Sequence, residues 1–140
     1  MVSSSGEVRL RVLAVLAGLT SVAAWVGAGQ LALGVYTPPV ADLADLGLTS
    51  WLLPGLWLAA SVAVPCLVVA ALAHRRSPRT GMAALVAAGL LATELAVQVP
   101  FVGFDPLQAV MGTTAAVIGV LGLVELLSAR DVRSPASTPP

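Results

Sequence analysis

The chain has no lysine and no asparagine, a single cysteine, a single histidine, and charged residues at only 10% of its positions. Each shortage removes a class of function. One cysteine, Cys66, rules out an internal disulfide, a CxxC redox pair and a cysteine zinc cluster, and reads as a small apolar residue within a helix. One histidine, His74, rules out bis-histidine haem ligation within the chain and leaves no basis for a histidine metal centre. It falls in the basic turn His74-Arg75-Arg76-Ser77-Pro78-Arg79 and reads as a solvated loop residue. A formal net charge of zero offers no basic tract to nucleic acid. No P-loop, GxSxG elbow or HExxH motif is present, so no cofactor and no metal is implied.

What is present is apolar. Hydrophobic residues make up 58% of the 140 positions and mean hydropathy is +0.96, far above the soluble globular range. Ala, Val, Leu and Gly dominate, a bias that suggests a GC-rich coding sequence. The predicted architecture is all-α: a four-helix transmembrane bundle occupying residues 12–127, with spans at about 12–35, 51–73, 81–102 and 106–127. Residues 1–11 and 128–140 are expected to be disordered, solvated ends. A rival reading of the first span is a signal peptide, with Val12–Ala24 as its apolar region and Val26-Gly27-Ala28 as a cleavage site. The apolar run continues beyond Ala28 to Val35, which favours a retained helix.

The connecting segments carry recognisable punctuation. Tyr36-Thr37-Pro38-Pro39 ends the first span, because paired prolines cannot continue a helix. From Val40 to Gly47, Val40, Leu43 and Leu46 share one side and Asp42 and Asp45 another, which predicts a short interfacial helix stopped by Gly47. The two aspartates could hold a cation, although no further ligand pattern accompanies them. Ser50 is the expected N-cap of the second span, and Pro65 within it should kink the helix or loosen its hydrogen bonding. Trp51 and Trp57 fit an aromatic interface belt. Asp105-Pro106 is a strong helix start, with Asp as N-cap and Pro at the first helical position.

Charge predicts orientation. All seven arginines, at 9, 11, 75, 76, 79, 130 and 133, fall on one side of the four-span arrangement. Asp42, Asp45 and Asp105 fall on the other. The positive-inside rule then places both termini in the cytoplasm of a bacterial cell, with the chain multi-pass in the plasma membrane.

Polar residues at depth are few. Glu94 lies about 20 Å into the third span at 1.5 Å per residue, just beyond the midplane, with Trp25 of the first span at a similar level. Gln98 is one turn further along the same face. Gln30 and Gln108 sit in the outer third of their spans. Glu94, Gln98, Gln30, Gln108 and Asp105 could therefore converge on a cavity open at the acidic side, with the Val40–Gly47 segment as its lid. A charged carboxylate near the midplane costs roughly 2.5–3.5 kcal/mol, and no Arg lies at that depth, so the neutral acid is favoured. Such an acid could be a structural group bonded to Gln30, Gln98 or a carbonyl. The alternative is that it donates a proton or orients a substrate. Glu125, one turn from the basic end, can reach water or Arg130.

Small residues stripe two spans: Gly112, Ala115, Ala116, Gly119 and Gly122 on the fourth, and Ala14, Ala17, Gly18, Ser21, Ala24 and Ala28 on the first. They let helix backbones approach closely, within the chain or in a homo- or hetero-oligomer. Pro54-Gly55-Leu56, then Gln98-Val99-Pro100-Phe101-Val102-Gly103 and Pro106-Leu107-Gln108, resemble a group of small four-span bacterial membrane proteins of the actinobacterial type. There a PGL opens the second span, a VQV…IG closes the third and an LQ opens the fourth. The resemblance covers roughly residues 50–125. It implies a compact membrane bundle and brings no activity with it.

Two functions follow from these residues. One is a non-catalytic bundle, acting as an accessory subunit or binding a lipophilic molecule. The other is a membrane enzyme of cyclase or isomerase type acting on an isoprenoid-like substrate. In the second, Glu94 is the proton donor, Asp105 a second carboxyl, Gln98, Gln108 and Gln30 orient the substrate, and Trp25 and Trp57 wall the pocket. A proton-coupled transporter is a third and weaker reading, since four spans would have to dimerise to form a pathway.

Overall fold

The computed structural model describes residues 4–35, 37–102 and 104–131. The remaining positions of the ends expected to be disordered, 1–3 and 132–140, and Tyr36 and Gly103 lie outside the described residues. Four helices are long and apolar enough to cross a membrane: α1 (Ser4–Leu33), α2 (Leu52–His74), α3 (Thr80–Val102) and α4 (Pro106–Asp131). At 1.5 Å per residue the shortest is about 35 Å long, against about 30 Å of hydrocarbon. No strand occurs among the described residues. The molecule is an all-α four-helix bundle, and its composition marks it as a multi-pass membrane protein.

The helices are apolar all round rather than on one face, as lipid-facing helices must be. Val15, Leu19, Leu33, Leu107 and Val120 all stand more than half exposed on the outside of the bundle. The interior is built from smaller residues, with Ala17, Ala63 and Ala84 fully buried beside Leu13, Val69 and Ile118. α1 runs along α2, and α3 along α4. The second pairing is very close. A Cβ on Gly81 would meet the Leu126 nitrogen at 2.7 Å and the Gly122 carbonyl at 2.8 Å, and one on Gly122 would meet Ala84 Cβ at 2.7 Å. Gly55 sits equally tightly on α1, where its Cβ would lie 2.9 Å from the Ala28 carbonyl. On the predicted small-residue stripes, Ala17, Ser21, Ala24, Ala28, Ala115 and Gly122 are buried, whereas Ala116 is exposed.

Two helices are longer than their apolar runs. α1 begins at Ser4, eight residues before Val12, and α4 continues to Asp131. Ion pairs explain the extension. Glu7 accepts from Arg11 one turn on and from Arg76 in the α2–α3 turn, each at 2.8 Å. Arg9 pairs with Glu125 of α4 at 2.8 Å and also reaches Ser128. Glu125 therefore bonds Arg9 across the bundle, where water or Arg130 of its own helix is what the sequence offers. These contacts draw the basic end together.

The acidic end differs. α1 and α2 are joined there by a 3-10 helix, Val40–Leu46, stopped by Gly47 in the left-handed region at φ 66°. With three residues per turn, Val40, Leu43 and Leu46 fall in line, and Leu43 is buried. Ser50 does not cap α2. The residue before the helix is Trp51, and its indole N–H donates to the Pro38 carbonyl at 2.9 Å, tying the loop down instead. Between Ala59 and Ala63, α2 opens into a π-helical turn, just before Pro65. Pro65 has no N–H for the Ser61 carbonyl, so the ladder must shift, and the Val64 N–H reaches the Ala59 carbonyl. Ser21 of α1 donates to the Ala63 carbonyl at 2.8 Å and satisfies the loosened stretch.

Candidate functional site

The two hairpins part toward the acidic end and leave a cavity of about 680 Å³. All four helices and the 3-10 segment contribute to its wall. Thr20, Ala24, Gly27 and Leu31 come from α1, while Leu91, Leu95 and Met111 come from the α3–α4 pair. Leu43, Leu46 and Trp51 close it from the connecting segment, and Asp42 faces it while Asp45 does not.

Glu94 is set into this wall with 8% of its surface exposed. Trp57 Nε1 donates to its Oε2, and Gln98 Nε2 donates to its Oε1 at 3.0 Å. Ser61 Oγ stands 3.4 Å from Oε2 and gives its own proton to the Trp57 carbonyl at 2.8 Å. The geometry has a simple origin. Trp57 and Ser61 are one turn apart on α2, Glu94 and Gln98 one turn apart on α3, and the two pairs face each other. The π turn contains Ser61 and begins two residues after Trp57, so it sets how this part of α2 is turned toward α3. Among the described residues no buried side-chain polar atom lacks a partner.

The other predicted residues separate into two groups. Asp105 and Gln108 line the cavity, yet both are engaged at the start of α4. Asp105 Oδ1 accepts from the Leu107 and Gln108 amides, and Gln108 Oε1 accepts from the Asp105 amide at 3.4 Å. This is a reciprocal capping box. Trp25 and Gln30 are exposed and do not line the cavity. α1 faces the cavity with Thr20, Ala24, Gly27 and Leu31. At 3.6 residues per turn, Trp25 lies about a third of a turn to one side of that stripe and Gln30 about a quarter-turn to the other. Of the two glutamines considered from the sequence as partners of Glu94, Gln98 bonds it and Gln30 does not, and Trp57 donates to the other oxygen.

Ser61 is the participant that sequence reasoning missed. Its signal was present, a lone hydroxyl four residues after Trp57 and four before Pro65. Among the described residues, no three His, Cys, Asp or Glu side chains come together as a metal site would need. No protein-family model matches the sequence, and no curated protein or solved structure matches the chain.

Proposed function

We propose that the protein binds a lipophilic molecule in the cavity at the acidic end of the bundle. The observation that carries this reading is the wall itself, apolar side chains from every helix around one polar set, the buried Glu94 with Trp57 and Gln98 bonded to it. Apolar surface supplies affinity and a few placed polar groups supply orientation, the usual division in small-molecule sites. The seven arginines and the resemblance to small bacterial bundles support a bacterial plasma-membrane protein with both termini in the cytoplasm. The cavity then opens toward the outer leaflet.

The test is quenching of tryptophan fluorescence by a dibrominated long-chain alcohol, with the chain in lipid nanodiscs and Trp25→Phe removing the indole that does not line the cavity. Trp51 and Trp57 should be quenched saturably, and Ala23→Phe, which adds bulk at the cavity wall, should weaken the binding about tenfold. Quenching that rises only linearly with alcohol in the bilayer would sink the reading.

A second reading rests on Ser61. Its hydroxyl donates to the Trp57 carbonyl and stands 3.4 Å from Glu94 Oε2, which places a further polar group beside the acid. Glu94 would then act as general acid toward an alkene or epoxide: its proton goes to the alkene carbon or the epoxide oxygen as the π or C–O bond breaks, water adds at the electron-poor carbon and its released proton restores Glu94, with Asp105 held to its capping role. An epoxidised isoprenoid alcohol should be ring-opened by the wild-type chain and not by Glu94→Gln, with mass spectrometry as the readout. An unreacted epoxide with the wild-type chain removes this reading.

A further inference from the structure

The lining of the cavity carries charge of one sign only. Its ionisable groups are Asp42, Glu94 and Asp105, and no arginine or histidine contributes to it. Glu94 receives an N–H on each oxygen, from Trp57 and from Gln98. That arrangement suits a carboxylate, which only accepts. A buried carboxylate also needs a positive charge nearby, and among the described residues the ion pairs lie at the far, basic end.

The aromatic lining fits the same missing partner. Trp51 and Trp57 both face the cavity, and an indole face is the best aromatic surface for a cation. Trp51 is held in place by its bond to the Pro38 carbonyl. Asp42 and Asp105 are exposed at the acidic end and would draw a cation toward the opening. Apart from Thr20, Gln98 and Gln108, the rest of the wall is apolar and asks for an apolar body.

Resting on the lipophile reading above, we propose that the ligand is an amphiphilic cation. Its positive centre would lie against Glu94 between the two indoles, and its apolar body against α1 and α4. An anionic molecule of equal size meets three like charges, and a neutral one gains apolar burial alone.

The test uses three probes of related shape on the full-length chain in nanodiscs of neutral lipid, with empty discs subtracted. These are tetraphenylphosphonium, tetraphenylborate and uncharged triphenylmethane. The phosphonium should bind at least about tenfold more tightly than either of the others. Glu94→Gln should bring the three within about threefold of one another. Asp42→Asn, in the exposed 3-10 segment, should lower phosphonium affinity by a smaller factor and leave triphenylmethane unchanged. Saturable binding of all three with equal affinity overturns the cation assignment and leaves the lipophile reading standing. Binding of none removes both. Preference for the borate overturns the cation assignment outright. The wild-type ratio decides the matter even where Glu94→Gln fails to fold.

Discussion

At the scale of single residues, this chain relies on the absence of side chains as much as on their presence. Gly81 and Gly122 let α3 and α4 touch backbone to backbone, a contact that any Cβ would break. Nothing flexible stands in the way there: the atoms that an added Cβ would strike at Gly81 belong to the backbone at Leu126 and Gly122. Gly89, on the same helix, has no atom within 4 Å of where its Cβ would be. Gly81→Ala should therefore destabilise the bundle by about 1–3 kcal/mol, the usual range for overpacking, while Gly89→Ala should be neutral or slightly stabilising. Thermal unfolding in detergent, followed by loss of helical signal, checks the contrast. Equal effects of the two substitutions would show that the close approach of α3 and α4 contributes little.

At the scale of elements, what could be read in advance depended on whether the cause was local. The start of α4 was readable because Asp105-Pro106 followed by Gln108 contains the whole device, cap, first-position proline and returning amide. Asp105→Ala should accordingly cost about 0.5–2 kcal/mol, and Asp105→Asn, which keeps an acceptor at the cap, should cost little. The comparison again uses thermal unfolding. A loss of equal size for both would assign the effect to the charge of Asp105 rather than to its cap. The shared face of Glu94 and Gln98 was readable for the same reason. The extension of α1 back to Ser4 was not, because Glu7 finds one of its partners, Arg76, in a different turn. Pro65 predicted loosened bonding in α2. That the ladder would settle as a π turn depends on neighbours as well, among them Ser21 on α1. Trp25 and Gln30 have the right depth, but one sequence does not fix the rotation of α1 against its neighbours, and that rotation turns both away from the cavity.

At the scale of the whole molecule, the two ends of the bundle are unlike. The basic end is tied together by the Arg9–Glu125 and Glu7–Arg76 pairs and by the glycine contact of α3 with α4 and keeps only a smaller hollow of about 240 Å³, whereas the acidic end holds the cavity of about 680 Å³. The proposed role therefore depends on which end meets which side of the membrane. The lone cysteine makes this measurable. Cys66 is fully buried, so the natural chain should not react with a membrane-impermeant maleimide. Single cysteines can then be placed at exposed points of either end, Ala44→Cys in the 3-10 segment and Ser4→Cys at the start of α1. With the arginines inside, Ala44→Cys should be labelled in intact bacterial cells, and Ser4→Cys only after the cells are permeabilised. The reverse pattern would put the cavity on the cytoplasmic side, so that its ligand would have to come from the inner leaflet or the cell interior. Labelling of both in intact cells would contradict the four-span arrangement itself, because Ser4 and Ala44 are separated by a single crossing of α1.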